Sequence, residues 1–122
     1  MQAKFDIIAD TKMLEKVLSN SNEAPVVVFK HSTTCPISSA AYKQMSQFTA
    51  APIALVVVQN ARSVSNEVAA RTGVAHESPQ AIVVQNGKAV WSASHYDITA
   101  DAVTEVVERH AAAASSGKGS VS

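Results

Sequence analysis

Only one cysteine stands in the chain, Cys35. A lone thiol cannot close an internal disulfide, so no covalent staple is expected, and the simplest compartment is the reducing cytoplasm. An excess of charge of one sign is missing too. Ten lysines and arginines balance ten aspartates and glutamates. No basic field therefore exists to draw in nucleic acid. No apolar run approaches the roughly 20 residues of a membrane-spanning helix, so no membrane partner is expected. The opening residues, MQAKFDIIADTK, have no basic segment followed by an apolar core, and no signal peptide is expected. Internal repeats are absent, and no spacing of histidine with cysteine suits a zinc site, so no metal is expected. The length of 122 residues suits one small domain with its own core.

What is present centres on residues 25–38, PVVVFKHSTTCPIS. Val26, Val27, Val28 and Phe29 make an unbroken apolar run rich in β-branched residues, which reads as a strand buried on both faces of a parallel sheet. The polar residues 31–34 read as a loop. Cys35 follows, then Pro36, which is favoured at the first position of a helix because its missing N–H costs nothing there. Ile37, Ala41, Met45 and Phe48 continue at helical spacing. Cys35 is thus expected at a strand-to-helix junction, beside unpaired backbone N–H groups and the positive end of the helix dipole. Both favour the thiolate, the nucleophilic form. The plainer alternative is that a lone cysteine is a small buried hydrophobe.

Along the chain, residues 5–8 read as a short first strand. Asp10 or Thr11 can cap a helix to about Ser19, with Met13, Leu14, Val17 and Leu18 on one face. Residues 53–58, IALVVV, read as a second buried strand. Ser63 can cap a helix over 64–72, stopped by Gly73. Residues 81–84 and 89–91 read as short strands joined by Asn86-Gly87, the signature of a type I′ hairpin turn. Thr99 opens a last helix with Val103, Val106 and Val107 facing inward. Residues 1–110 form the expected domain, and the Ala-, Ser- and Gly-rich residues 111–122 read as a disordered tail. The pattern is an α/β domain with parallel βαβ units, whose ligands bind beyond the carboxyl ends of the strands.

The segments FKHSTTCPIS, HESPQ (residues 76–80) and SHYDIT (residues 94–99), in this order, resemble the YtxJ family, the monothiol bacilliredoxins. The resemblance runs from about Lys4 to about His110. It implies a thioredoxin-like fold, with a mixed sheet of four to five strands in the order 1-3-2-4-5, flanked by helices. It also implies a thiol–disulfide oxidoreductase that removes bacillithiol from client cysteines, with bacillithiol as co-substrate and no bound cofactor. Cys35 would be the catalytic thiol, and Pro36, Ile37 and Ser38 would stabilise its thiolate.

Ser38 occupies the place where dithiol relatives carry a resolving cysteine. CPIS resembles the glutaredoxin CPYC motif with its second cysteine replaced. What remains takes one mixed disulfide and needs an external thiol to release it. Ser38 also suits simple capping of the first helical turn. The resemblance further implies a cis peptide at Pro79, opposite the thiol, with Ser78, Pro79 and Thr34 meeting the substrate. Bacillithiol carries a malate, whose carboxylates call for cations. Lys30 and Arg62 are the candidates, with Arg71 behind them; Lys30 reads equally well as a solvated strand-end lysine. His31, His76 and His95 carry no assigned role. Trp91 and Tyr96 read as packing residues.

Two other readings stay open. One is a glutaredoxin-like enzyme using a different small thiol. The other is a thioredoxin-fold binding module that grips an iron–sulfur cluster through Cys35 of two chains, or binds partners without redox change. The departure from the CGFS motif of monothiol glutaredoxins argues against the cluster role.

Overall fold

Val26 to His31 form the middle strand, and all six residues are buried. The computed structural model describes residues 4–34 and 36–121, with side chains as far as residue 112. In chain order the elements are β1 (Phe5–Ile7), α1 (Thr11–Asn20), β2 (Val26–His31), α2 (Pro36–Met45), β3 (Ile53–Val57), α3 (Arg62–Thr72), β4 (Gln80–Gln85), β5 (Lys88–Ser94), a 3₁₀ turn (His95–Asp97) and α4 (Ala100–Val121). The five strands form one sheet in the order β1-β3-β2-β4-β5. β3 runs parallel to both β1 and β2, whereas β4 is antiparallel to β2 and to β5. This is the thioredoxin-like mixed sheet that the resemblance implies.

The two-residue period of β2 divides its side chains between two cores. Val27 and Phe29 join Met45, Phe48, Val103, Val106 and Val107 beneath α2 and α4. Val26 and Val28 join Leu14, Leu18, Val64 and Val68 beneath α1 and α3. Each fully buried aliphatic or aromatic side chain contributes about 1.5–3 kcal/mol. A polar substitution anywhere along 26–29 therefore removes hydrophobic stabilisation on a fully covered face.

Local signals fix the element ends. Met13 N–H donates to Asp10 Oδ1 at 2.9 Å, capping α1. Gly73 takes a left-handed φ of 73° and donates its N–H to Ala69 O, ending α3. Asn86 and Gly87 both have positive φ, 55° and 74°, as a type I′ turn demands. Ala102 N–H donates to Thr99 Oγ1 at 3.2 Å at the start of α4.

Several boundaries differ from expectation. His31 belongs to β2 rather than to the following loop, because its backbone pairs with Val57 of β3 and extends the strand. Ser63 does not cap α3; the N-cap is Ala61, with no side-chain hydrogen bond. Met13 is exposed, since α1 buries only the narrower face of Leu14 and Leu18. Tyr96 is 71% exposed and packs little, while Trp91 lies against the core.

Candidate active site

The carboxyl end of β2 and the start of α2 bracket the candidate thiol. Pro36 is the first residue of α2 and lies exposed, and Ile37 is half-buried. Cys35 itself lies outside the described residues, and so do its expected exposure, ionisation and approach to Pro79. Ser38, in the first turn of α2, is fully buried. Its Oγ accepts the Ser32 N–H at 3.3 Å. The oxygen therefore pins the loop that leads to Cys35, and the hydroxyl hydrogen is left to donate.

That loop has a second anchor. Gln59 Nε2 donates to Ser32 Oγ at 3.0 Å, to Thr33 Oγ1 at 3.1 Å and to Thr34 Oγ1 at 3.3 Å. Gln59 Oε1 receives Thr33 N–H at 3.4 Å. One amide just past β3 thus ties three consecutive hydroxyl residues. Thr34 is exposed at the surface of this network.

The loop before β4 approaches from the other side. Gln80 pairs with Lys30, so Pro79 stands beside the carboxyl end of β2. The Ser78–Pro79 peptide is cis. Pro79 is buried, and its carbonyl accepts His95 N–H at 3.1 Å. Proline has no N–H, and the Pro79 carbonyl keeps a second lone pair beyond the one that His95 uses. Ser78 Oγ is buried with no hydrogen-bond partner among the described residues.

Lys30 and His31 face opposite sides of the sheet. His31 is buried near Phe29 and Tyr42, with ring centroids 5.8 Å and 4.9 Å away. Its Nδ1 has no partner among the described residues. Burial pushes its pKa below the ordinary histidine value, and a backbone hydrogen bond with Ser38 opposes that. Lys30 is wholly buried, which corrects the reading of a solvated strand-end lysine. Burial pushes its pKa below the ordinary lysine value. Its Nζ lies 3.2 Å from His76 Nδ1, and Ser65 Oγ lies 3.0 Å from the same nitrogen. His76 is exposed and sits over the lysine. Its pKa is lowered by desolvation first, then by the charges of Lys30 and Arg62, with Glu77 opposing.

Beside this pair lies a pocket of about 170 Å³, lined by Val58, Gln59, Arg62, Ser65, Asn66 and His76. The guanidinium of Arg62 and the ring of His76 give it a polar, cationic wall. It adjoins the loop before Cys35 through Gln59. Arg71, the other candidate for an anion, is engaged by Glu15, with Nη2 to Oε1 at 3.1 Å.

Residues 6–103 match the family described as monothiol bacilliredoxin BrxC. This chain belongs to that family. A BrxC-family chain with this sheet is a thiol redox protein of the thioredoxin-like oxidoreductases. A solved thioredoxin-fold protein, proposed to be an oxidoreductase, is 34% identical; the match covers 83% of this chain and 91% of that one, with a TM-score of 0.74. Thioredoxin NaTrxh from Nicotiana alata is 14% identical over 91% of this chain and 96% of its own, with a TM-score of 0.70. A mutant thioredoxin from Halobacterium salinarum NRC-1 is 13% identical over 88% of this chain and 91% of its own, with a TM-score of 0.67. The two thioredoxins share the fold alone.

Within this BrxC-family chain, sequence reasoning missed the Gln59 network and the contact of His76 with Lys30 and Ser65. Gln59 had a usable signal, because it follows the apolar run of β3 and so stands at a strand's carboxyl end, where such folds bind ligands. Ser65 had none, since it looks like any helical serine. Among the described residues no helix is long and apolar enough to cross a membrane.

Proposed function

We propose that this chain is a monothiol bacilliredoxin that removes bacillithiol from S-bacillithiolated protein cysteines through Cys35. The observation that carries this reading is Ser38. In a BrxC-family chain with one cysteine, the position of a resolving thiol holds a serine buried in the first turn of α2. An intramolecular disulfide is therefore impossible, and release needs a second small thiol.

The chemistry balances in two exchanges. The Cys35 thiolate attacks the bacillithiol sulfur of the client's mixed disulfide. That S–S bond breaks, a new one forms between Cys35 and bacillithiol, and the client leaves as a thiolate that takes up a proton. A second bacillithiol thiolate then attacks the bacillithiol sulfur held on Cys35. Oxidised bacillithiol leaves, and the Cys35 thiolate returns. Pro36, Ile37 and Ser38 lie at the start of α2, whose backbone N–H groups favour that thiolate. We assign Thr34, exposed beside the thiol in sequence, and Ser78 and Pro79, in the loop before β4, to meeting the substrate. Arg62, in the pocket beside Gln59, meets a malate carboxylate. Lys30 is too deeply buried to touch that carboxylate and acts from behind the pocket wall. Turnover depends on a reducing pool of small thiol, which the cytoplasm supplies.

The test is to incubate the protein separately with oxidised bacillithiol and oxidised glutathione and weigh the intact products. One bacillithiol adduct on Cys35, formed in preference to a glutathione adduct, is the expected result. Preference for glutathione overturns the choice of thiol and points to a glutaredoxin-like enzyme. No adduct with either points to a binding module.

A further inference from the structure

A wholly buried lysine needs a reason. Among the described residues no carboxylate contacts Lys30; its one side-chain hydrogen bond runs to His76 Nδ1, at 3.2 Å. An ammonium has hydrogens to give and no lone pair to receive one. With Lys30 charged, Nδ1 is the acceptor, and it shares that lone pair with the Ser65 hydroxyl, 3.0 Å from the same nitrogen. A neutral imidazole that accepts at Nδ1 carries its hydrogen at Nε2. His76 lines the pocket that also holds the Arg62 guanidinium. An Nε2–H there is a hydrogen-bond donor offered to whatever the pocket binds.

We propose that His76 is a binding residue for a carboxylate of the small thiol, and that Lys30 is the positioning residue that holds it in its donor tautomer. This rests on reading the pocket as the site of the malate carboxylate. A carboxylate has two oxygens, enough to accept from Arg62 and from His76 together. Were Lys30 neutral, its lone pair could accept from Nδ1–H. The ring would then turn a lone pair toward the carboxylate and repel it. The groups that bear on the pair are Arg62 and Ser65 from α3, Glu77 from the loop, and Gln80 across the sheet from Lys30. Arg62 and Lys30 oppose a second proton on His76, and Glu77 favours one. Desolvation also holds the ring neutral. Because burial lowers the Lys30 pKa, the charge that enforces the donor state is lost, as pH rises, before the ordinary lysine range is reached.

The tautomer is read directly from the ring nitrogen shifts of His76 in a long-range ¹H–¹⁵N spectrum of the full chain at neutral pH. The neutral Nε2–H form is expected; the Nδ1–H form or a charged ring overturns the proposal. Affinity is measured with S-methyl bacillithiol, which cannot exchange with Cys35. His76→Phe and Lys30→Met should each weaken binding roughly tenfold, with His76→Gln, which keeps an N–H donor, closer to wild type. Wild-type affinity should fall on the alkaline side, and Lys30→Met should lose that fall. Equal affinity in His76→Phe overturns the proposal. If Lys30→Met does not fold, the wild-type tautomer and the His76 variants still decide. A Cys35 adduct with oxidised bacillithiol, together with unchanged affinity in His76→Phe, sinks this inference alone. Absence of the adduct sinks the reading of the function, while the tautomer is still settled by its own spectrum.

Discussion

Ser38 Oγ accepts the Ser32 N–H at 3.3 Å, so the residue standing where a resolving thiol would be holds the loop before Cys35 in place. Replacing Ser38 with Ala leaves that half-buried N–H without its partner, at a cost of about 1 kcal/mol. Exchange through Cys35 should survive in Ser38→Ala, slowed only a few-fold, as read by loss of bacillithiol from a modified client. Complete loss of exchange would mean that the hydroxyl takes part in the chemistry itself. Ser38→Cys should instead release bacillithiol without added thiol, forming a 35–38 disulfide visible as a loss of two hydrogens in the intact mass.

Arg62 is exposed on the pocket wall, so its contact with a carboxylate is screened by solvent. Arg62→Ala should raise KM for the bacillithiolated client by about fivefold, equivalent to roughly 1 kcal/mol, with kcat little changed. The difference should shrink as salt is added. An unchanged KM at low salt removes Arg62 from the substrate site.

Burial lowers the Lys30 pKa from its ordinary 10.5. Between the lowered folded value and 10.5 the unfolded chain holds more protons than the folded one, so stability rises with pH across that window. Below it, the folded state bears the full cost of a buried ammonium. Lys30→Met removes that linkage. Urea titrations from neutral to alkaline pH should show wild type gaining stability relative to Lys30→Met as pH rises. A constant difference across the range would mean that Lys30 keeps its ordinary pKa.

For His31 the window lies on the acid side. Its folded pKa is held below 6.5 by burial, so stability is fully present above 6.5 and is lost as pH falls through the folded value. His76 shifts in the same direction, so the two must be separated by mutation. His31→Phe keeps a ring against Phe29 and Tyr42 and removes the unpartnered Nδ1. It should lose less stability than wild type between neutral and mildly acid pH, as measured by Tm. Parallel curves would show that His31 titrates as it does in the unfolded chain.

Much of the architecture was legible because its signals are local. Asp10 ahead of α1, the Asn86-Gly87 turn and Gly73 after α3 each specify a backbone conformation through one or two residues. The apolar runs of β2 and β3 announce strands covered on both faces. The strand order came through the resemblance, since periodicity cannot say which strands are neighbours. The site was less legible. Whether Lys30 points into solvent or under a helix depends on α3 and on a loop 46 residues away along the chain, and nothing within 25–38 encodes that. Ser63 looked like the cap of α3, but Ala61 takes the position, because the chain turns into the helix directly from the end of β3 and the backbone of Val57. Gln59 could have been found by asking which polar residue ends each buried strand.

The central claim is a single thiol that works by successive exchange with an external small thiol. It is tested by following loss of bacillithiol from a modified client under excess client, with and without free bacillithiol. Without free bacillithiol, wild type should stop after one equivalent and carry a bacillithiol adduct on Cys35; with it, turnover should continue, and Cys35→Ala should be inert throughout. Activity in Cys35→Ala, or multiple turnovers with no free thiol, would contradict the account.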